Sequence, residues 1–119
     1  MLALVIDDSM LIRHTVCRFL ESRGFNVETA TDGIAALEAL KTMQPELIIT
    51  DLQMPQLSGY QLIEALKADE KTATIPILVL AARPIAEVPL VHTIIYKDLN
   101  VEEQLEQALE SLFPRQITN

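Results

Sequence analysis

Short apolar runs alternate along the chain with longer segments whose apolar residues recur at helical spacing, the pattern of a parallel sheet covered on both faces. The runs 2–6, 25–30, 46–50, 76–80 and 92–96 read as strands. Between the first two, Ser9 to about Arg23 sets Ile12, Val16 and Leu20 on one face of a helix, and Gly24 supplies the stop. Asp32 caps a second helix carrying Ile34, Leu37 and Leu40, which Pro45 forbids from continuing, and Ser58 caps a third that runs to about Lys67. Asn100 and Glu103 have the spacing of an N-cap and its capping-box glutamate. They open a last helix through Val101, Leu105, Leu109 and Leu112 that ends before Pro114. The rhythm breaks after Leu80, because AARPIAEVPLVHT places Pro84 and Pro89 where only about one helical turn fits between them, so a full helix there is not expected.

Five β–α alternations imply right-handed crossovers and a doubly wound α/β sheet, whose ligands sit beyond the carboxyl ends of the strands. The 119 residues, half of them hydrophobic, suit one domain over 1–119, and no internal repeat, low-complexity tract or linker divides them. Nine Lys and Arg against 17 Asp and Glu give a net charge of −8, which repels phosphate backbones and argues against direct contact with a nucleic acid. The single cysteine, Cys17, reads as a half-buried structural thiol, in keeping with a reducing compartment. The apolar start Met1 to Ile6 stops at Asp7, too short for a signal-peptide core or a membrane span, so a cytoplasmic protein with no membrane contact is expected.

The informative residues fall at strand ends. Asp7 and Asp8 close the first strand, Asp51 follows LIIT at the end of the third, and Lys97 follows TIIY at the end of the fifth; in a parallel sheet all four share one edge. An acidic pair after a strand is, by itself, more often a helix cap with a solvated neighbour, and a lone lysine there is usually a surface charge. Joint occurrence at three strand ends reverses that reading. Three converging carboxylates stay ionised only beside a hard cation, and oxygen ligands with room for waters suit Mg²⁺. A carboxylate beside such a metal and a lysine has the parts to attack a phosphoryl group, which makes Asp51 the natural nucleophile at the head of the turn DLQMP.

With ALVIDDS, IITDLQMPQLSGYQLIEAL and IIYKD in place, the whole chain resembles a receiver domain of bacterial two-component response regulators. The resemblance implies a flavodoxin-like five-stranded sheet in the order 2-1-3-4-5. It implies Asp51 as phosphoacceptor, Mg²⁺ held by Asp8, Asp51 and the backbone carbonyl of Gln53, Asp7 acting through metal-bound water, and Lys97 on the phosphoryl oxygens. It also implies a histidine kinase or phosphotransfer domain as donor, and an output domain or protein target as reader.

The chain departs from the family pattern in one region. Ala81 stands where a Thr or Ser hydroxyl is usual, Ile94 where a switch aromatic is usual, and Asp98 where a proline follows the lysine, so the Lys97–Asp98 peptide should be trans. Ala81 and Lys97 are 16 positions apart (97 − 81), fewer than usual, which again argues for a fourth helix that is shortened or absent. The surface where receivers commonly dimerise must then be remodelled, and the leucines of the last helix leave room for a homodimer contact. Gln53 and Arg83 occupy places that in receivers flank the phosphoryl group and tune its hydrolysis. The first functional reading is a phosphoacceptor module. The alternative is a pseudo-receiver, an interaction domain freed from phosphorylation. An enzymatic aspartyl-phosphate hydrolase of the haloacid dehalogenase type fits poorly, since it needs a carboxylate where Gln53 stands and usually a cap domain.

Overall fold

Five strands, β1 (Leu2–Ile6), β2 (Asn26–Ala30), β3 (Leu47–Asp51), β4 (Ile77–Ala81) and β5 (Thr93–Tyr96), form one parallel sheet in the order β2-β1-β3-β4-β5. The computed structural model describes residues 1–54, 56–83, 85, 88 and 90–114. Pro84 and Pro89, which the sequence reading used as chain breakers, and Pro55 of the turn DLQMP lie outside the described residues. Among the described residues there are four helices: α1 (Met10–Ser22), α2 (Gly33–Ala39) and α3 (Gly59–Ala68) connect the first four strands, and α4 (Val101–Leu112) follows β5. This is the expected flavodoxin-like order. Among the described residues between β4 and β5 none is helical.

The central strands β3 and β4 are buried along their whole length, which is why they read as unbroken apolar runs. Odd and even positions serve different layers. Val5, Ile49, Leu78, Leu80 and Ile95 pack with Val16, Leu20, Leu105 and Leu109 of α1 and α4, whereas Leu4, Ile6, Ile48, Ile77 and Val79 pack with Ala36, Leu62 and Leu66 of α2 and α3. Val88 is buried in this second layer and Ile85, Val91 and, from β5, Ile94 pack against it, so the β4–β5 connection does with three aliphatic side chains what a helix would otherwise do.

Several boundaries differ from the sequence reading, each for a local reason. The second to fifth strands begin one residue later than expected, and Asp51 and Ala81 are the last residues of β3 and β4, not the first beyond them. Helix α2 ends at Ala39, well short of Pro45. The Lys41 and Thr42 N–H groups bond the carbonyls three residues back, on Glu38 and Ala39, and the Thr42 hydroxyl adds a second bond to the Ala39 carbonyl, so the chain tightens into a turn there. Ile34 faces solvent, 52% exposed, and Ala36 takes the buried position instead. Asn100 caps α4 by accepting the Glu103 N–H, but the complete reciprocal capping box forms at Ser58 and Gln61 on α3. Cys17 is half-buried, as expected, and burial pushes its thiol above the ordinary value.

Two glycines shape the frame. Gly24, at φ +90°, ends α1, with its N–H on the Glu21 carbonyl and the Phe25 N–H reaching back to Leu20, the bonds of a Schellman stop. Gly59 lets the first turn of α3 lie directly on the end of β3. A Cβ there would fall on the Asp51 carbonyl oxygen and stand 2.6 Å from Leu52 Cα, while the Gly59 N–H donates to the Leu52 carbonyl at 2.9 Å. Gly59→Ala should therefore destabilise the fold by about 1–3 kcal/mol, as overpacking commonly does, in urea denaturation followed by circular dichroism.

Candidate functional site

Register brings the strand-end residues together. Ile6 pairs with Thr50 across β1 and β3, so Asp7 and Asp51 come one step later on neighbouring strands; Ala81 pairs with Tyr96, so Lys97 comes one step beyond β5. Carboxylate oxygens of Asp7, Asp8 and Asp51 all lie within 4.8 Å of one another. Asp7 is fully buried and Asp51 nearly so, while Asp8 opens to solvent.

Each side chain is held by its surroundings. Asp7 Oδ1 accepts the Ser9 N–H at 2.8 Å just before α1, and the Arg13 guanidinium donates to the Asp7 carbonyl at 2.7 Å. Asp51 Oδ1 accepts the Leu52 N–H at 2.8 Å, and the Thr50 hydroxyl donates to the Asp51 carbonyl at 2.9 Å. The Lys97 ammonium enters from the far side, 2.8 Å from Asp7 Oδ2 and 3.4 Å from Asp51 Oδ1. Asp7 Oδ2 meets this ammonium as an ion pair and has no further hydrogen-bond partner among the described residues. An oxygen left in this state, beside two further carboxylates of which one is open to water, fits a hard divalent cation.

The electrostatics follow from burial. Desolvation, reinforced by the Asp7 charge, raises the Asp51 carboxyl above the ordinary value, and Lys97 and the Gln53 backbone N–H only partly offset this. For Lys97, burial alone would lower the ammonium, but Asp7 and then Asp51 outweigh it and the net direction is upward. Lysine therefore stays charged and Asp51 is the strained member.

The proposed flanking residues also converge. Asp51, Gln53, Ala81, Arg83 and Lys97 line one pocket of about 110 Å³, whose remaining walls include Ala82, Ile85 and Tyr60. Ala81 offers only a methyl group to this space. Ile94 lies on β5, packed against the layer shared with α3, and the Lys97–Asp98 peptide is trans, as expected without proline; Lys97 nevertheless reaches both carboxylates. Tyr60 was not singled out from the sequence. Its position two residues after the Ser58 cap, on the turn that Gly59 presses against Asp51, is the signal that would have found it.

Comparison with known proteins agrees with this geometry. The family model described as the response regulator receiver domain matches residues 3–110. The DNA-binding dual master transcriptional regulator RpaA of Synechocystis is 40% identical over 79 residues, 66% of this chain and 33% of RpaA. The chemotaxis response regulator CheY4 of Vibrio cholerae superposes with a TM-score of 0.84 at 29% identity, covering 94% of this chain and 98% of CheY4. The receiver domain of the sensor histidine kinase PA1611 from Pseudomonas aeruginosa, solved with a magnesium ion coordinated in its active site cleft, superposes with a TM-score of 0.82 at 21% identity, covering 92% of this chain and 94% of that one. The chain belongs to the response regulator receiver domain family, the receiving module of two-component systems. It spans about a third or less of the length of the first curated relatives it matches. No helix among the described residues is long and apolar enough to cross a membrane.

The raised Asp51 carboxyl has a consequence for stability. A folded-state value above the unfolded one means the folded protein holds the extra proton, so this group's contribution falls as pH rises through that interval. In metal-free buffer with a chelator, Asp51→Asn should therefore be more stable than wild type at neutral pH. That gain should shrink as pH falls through the carboxylate range, as read from urea denaturation at a series of pH values.

Proposed function

We propose that the chain is a phosphoacceptor module that takes a phosphoryl group onto Asp51. The observation that carries this is a single one: the Asp51 carboxylate stands at the end of β3 with the Lys97 ammonium 3.4 Å away and two further carboxylates close enough to share a cation. The donor is a phosphohistidine of a histidine kinase or phosphotransfer domain. An Asp51 oxygen forms the new O–P bond as the N–P bond breaks, and the departing imidazole recovers a proton. Asp8, Asp51 and the Gln53 carbonyl would hold Mg²⁺, with Asp7 orienting a water on it. The metal supplies neutralisation of charge on the phosphoryl oxygens. Lys97 holds one of those oxygens, leaving Asp7 to do so. Arg83 and Gln53 border the same pocket and control the approach of hydrolytic water. The module works in the cytoplasm, and the phosphorylated state is read by an output domain or a separate protein target.

A second reading is favoured by Ala81, Ile94 and the non-helical residues after β4: an interaction domain whose surface no longer depends on phosphate. The physical argument against it is the mutually repelling acid trio, two of its members buried, which has no structural use once phosphate and metal are gone.

Intact-mass spectra after incubation with Mg²⁺ and acetyl phosphate separate the two. A phosphoryl adduct on wild type and none on Asp51→Asn is the expected result; no adduct on wild type, with a cognate kinase also supplied, would favour the interaction domain. Because Ala81 cannot donate to the phosphoryl oxygens, a hydrogen bond to a charged group worth about 1.5–3 kcal/mol is absent. Beryllium fluoride should accordingly produce only small amide shifts across Thr93–Tyr96 in NMR spectra, and larger ones in Ala81→Thr.

A further inference from the structure

The sheet ends at β5, so the outward N–H and C=O of Tyr96, the residue before Lys97, have no neighbouring strand. The side chain of Gln104, from the first turns of α4, takes that place. Its Oε1 accepts the Tyr96 N–H at 2.8 Å, and its Nε2 donates to the Tyr96 carbonyl at 2.9 Å and to the Asn100 carbonyl at 3.2 Å. On the inner side the Lys97 N–H donates to the Ala81 carbonyl at 2.8 Å. The Tyr96 carbonyl and the Lys97 N–H belong to one peptide unit, which is thus bonded on both sides. Its plane sets the direction in which the Lys97 side chain leaves the backbone. Beyond Lys97 the chain turns at once, with the Leu99 N–H on the same Tyr96 carbonyl at 3.3 Å.

We propose that Gln104 is a positioning residue for Lys97: its side-chain amide pins the peptide between Tyr96 and Lys97 and so aims the ammonium at Asp7 and Asp51. The ordering of Lys97 stands on geometry alone, and its effect on phosphoryl transfer rests on the phosphoacceptor reading. A group one step removed from the chemistry acts through angle, and an offset of about 1 Å at a reacting centre can lower a rate by roughly a hundredfold.

Two variants test this. Gln104→Leu removes both bonds at similar size, and Gln104→Glu keeps an acceptor for the Tyr96 N–H while losing the donor to the carbonyl, so it remains informative should the leucine variant fail to fold. The first readout is the Lys97 ammonium signal in ¹⁵N-detected NMR of the metal-free protein. It should be sharp in wild type, weakened in Gln104→Glu and lost to solvent exchange in Gln104→Leu, while amides of β1 and β3 stay in place. The second is the rate of adduct formation with acetyl phosphate and Mg²⁺. It should fall roughly ten- to a hundredfold in Gln104→Leu, and the fall should vanish when the same change is made in Lys97→Ala. An unchanged ammonium signal in the variants, or an equal fall in rate with and without Lys97, would overturn the proposal. Loss of the ammonium signal in a chain whose wild type takes up no phosphate would uphold the positioning role and overturn the phosphoacceptor reading.

Discussion

Repulsion among three carboxylates at one sheet edge is the constraint around which the rest of this structure is arranged. Strand register leaves no freedom here: with Ile6 opposite Thr50, the next residues on β1 and β3 must share the space above the sheet. Burial then makes their charge more expensive, and a single ammonium answers it. Lys97 stands closer to Asp7 than to Asp51, so Asp51, the proposed phosphoacceptor, is the less compensated of the two. Such an arrangement costs some stability, as clusters of like charge in functional sites commonly do.

The region after β4 shows how a layer can be kept without its helix. Ile85, Val88 and Val91 join Ile94 of β5 in the layer beside α3, so apolar burial is maintained by a short connection. With a methyl at Ala81 and an aliphatic side chain at Ile94, these two positions carry neither a hydroxyl nor an aromatic ring. The pocket beside the acidic edge is instead walled by Tyr60, Ile85 and Arg83, a mixed surface exposed at the rim.

Much of this was legible in the sequence, because the signals were periodic or categorical. All five strands, the caps at Asp32, Ser58 and Asn100, the stop at Gly24 and the acidic strand ends follow from residue type at fixed spacing, and the close prolines foretold the loss of a helix. Ile34 was misread because a small residue, Ala36, won the inward position, and helical spacing alone does not rank an isoleucine below an alanine. Helix α2 runs short because the chain tightens at Lys41 and Thr42, whose N–H groups bond the carbonyls three residues back, a local geometry no periodicity encodes. Tyr60 and Gln104 escaped for a different reason: their roles depend on which backbone groups lie beside them in space. A glutamine on an amphipathic helix looks like any other polar residue until the strand edge it faces is known.

The Gln104 amide also alters what the end of the sheet presents to other chains. An unpaired strand edge is a template on which a foreign strand can add, and proteins blunt such edges with charge, brevity or cover. Strand β5 is four residues long, and the N–H and C=O of its last residue are already saturated by a side chain that imitates a neighbour. The same two bonds that fix the backbone before Lys97 thus close part of the edge to intermolecular pairing, so guarding against aggregation and ordering the site are served by one glutamine.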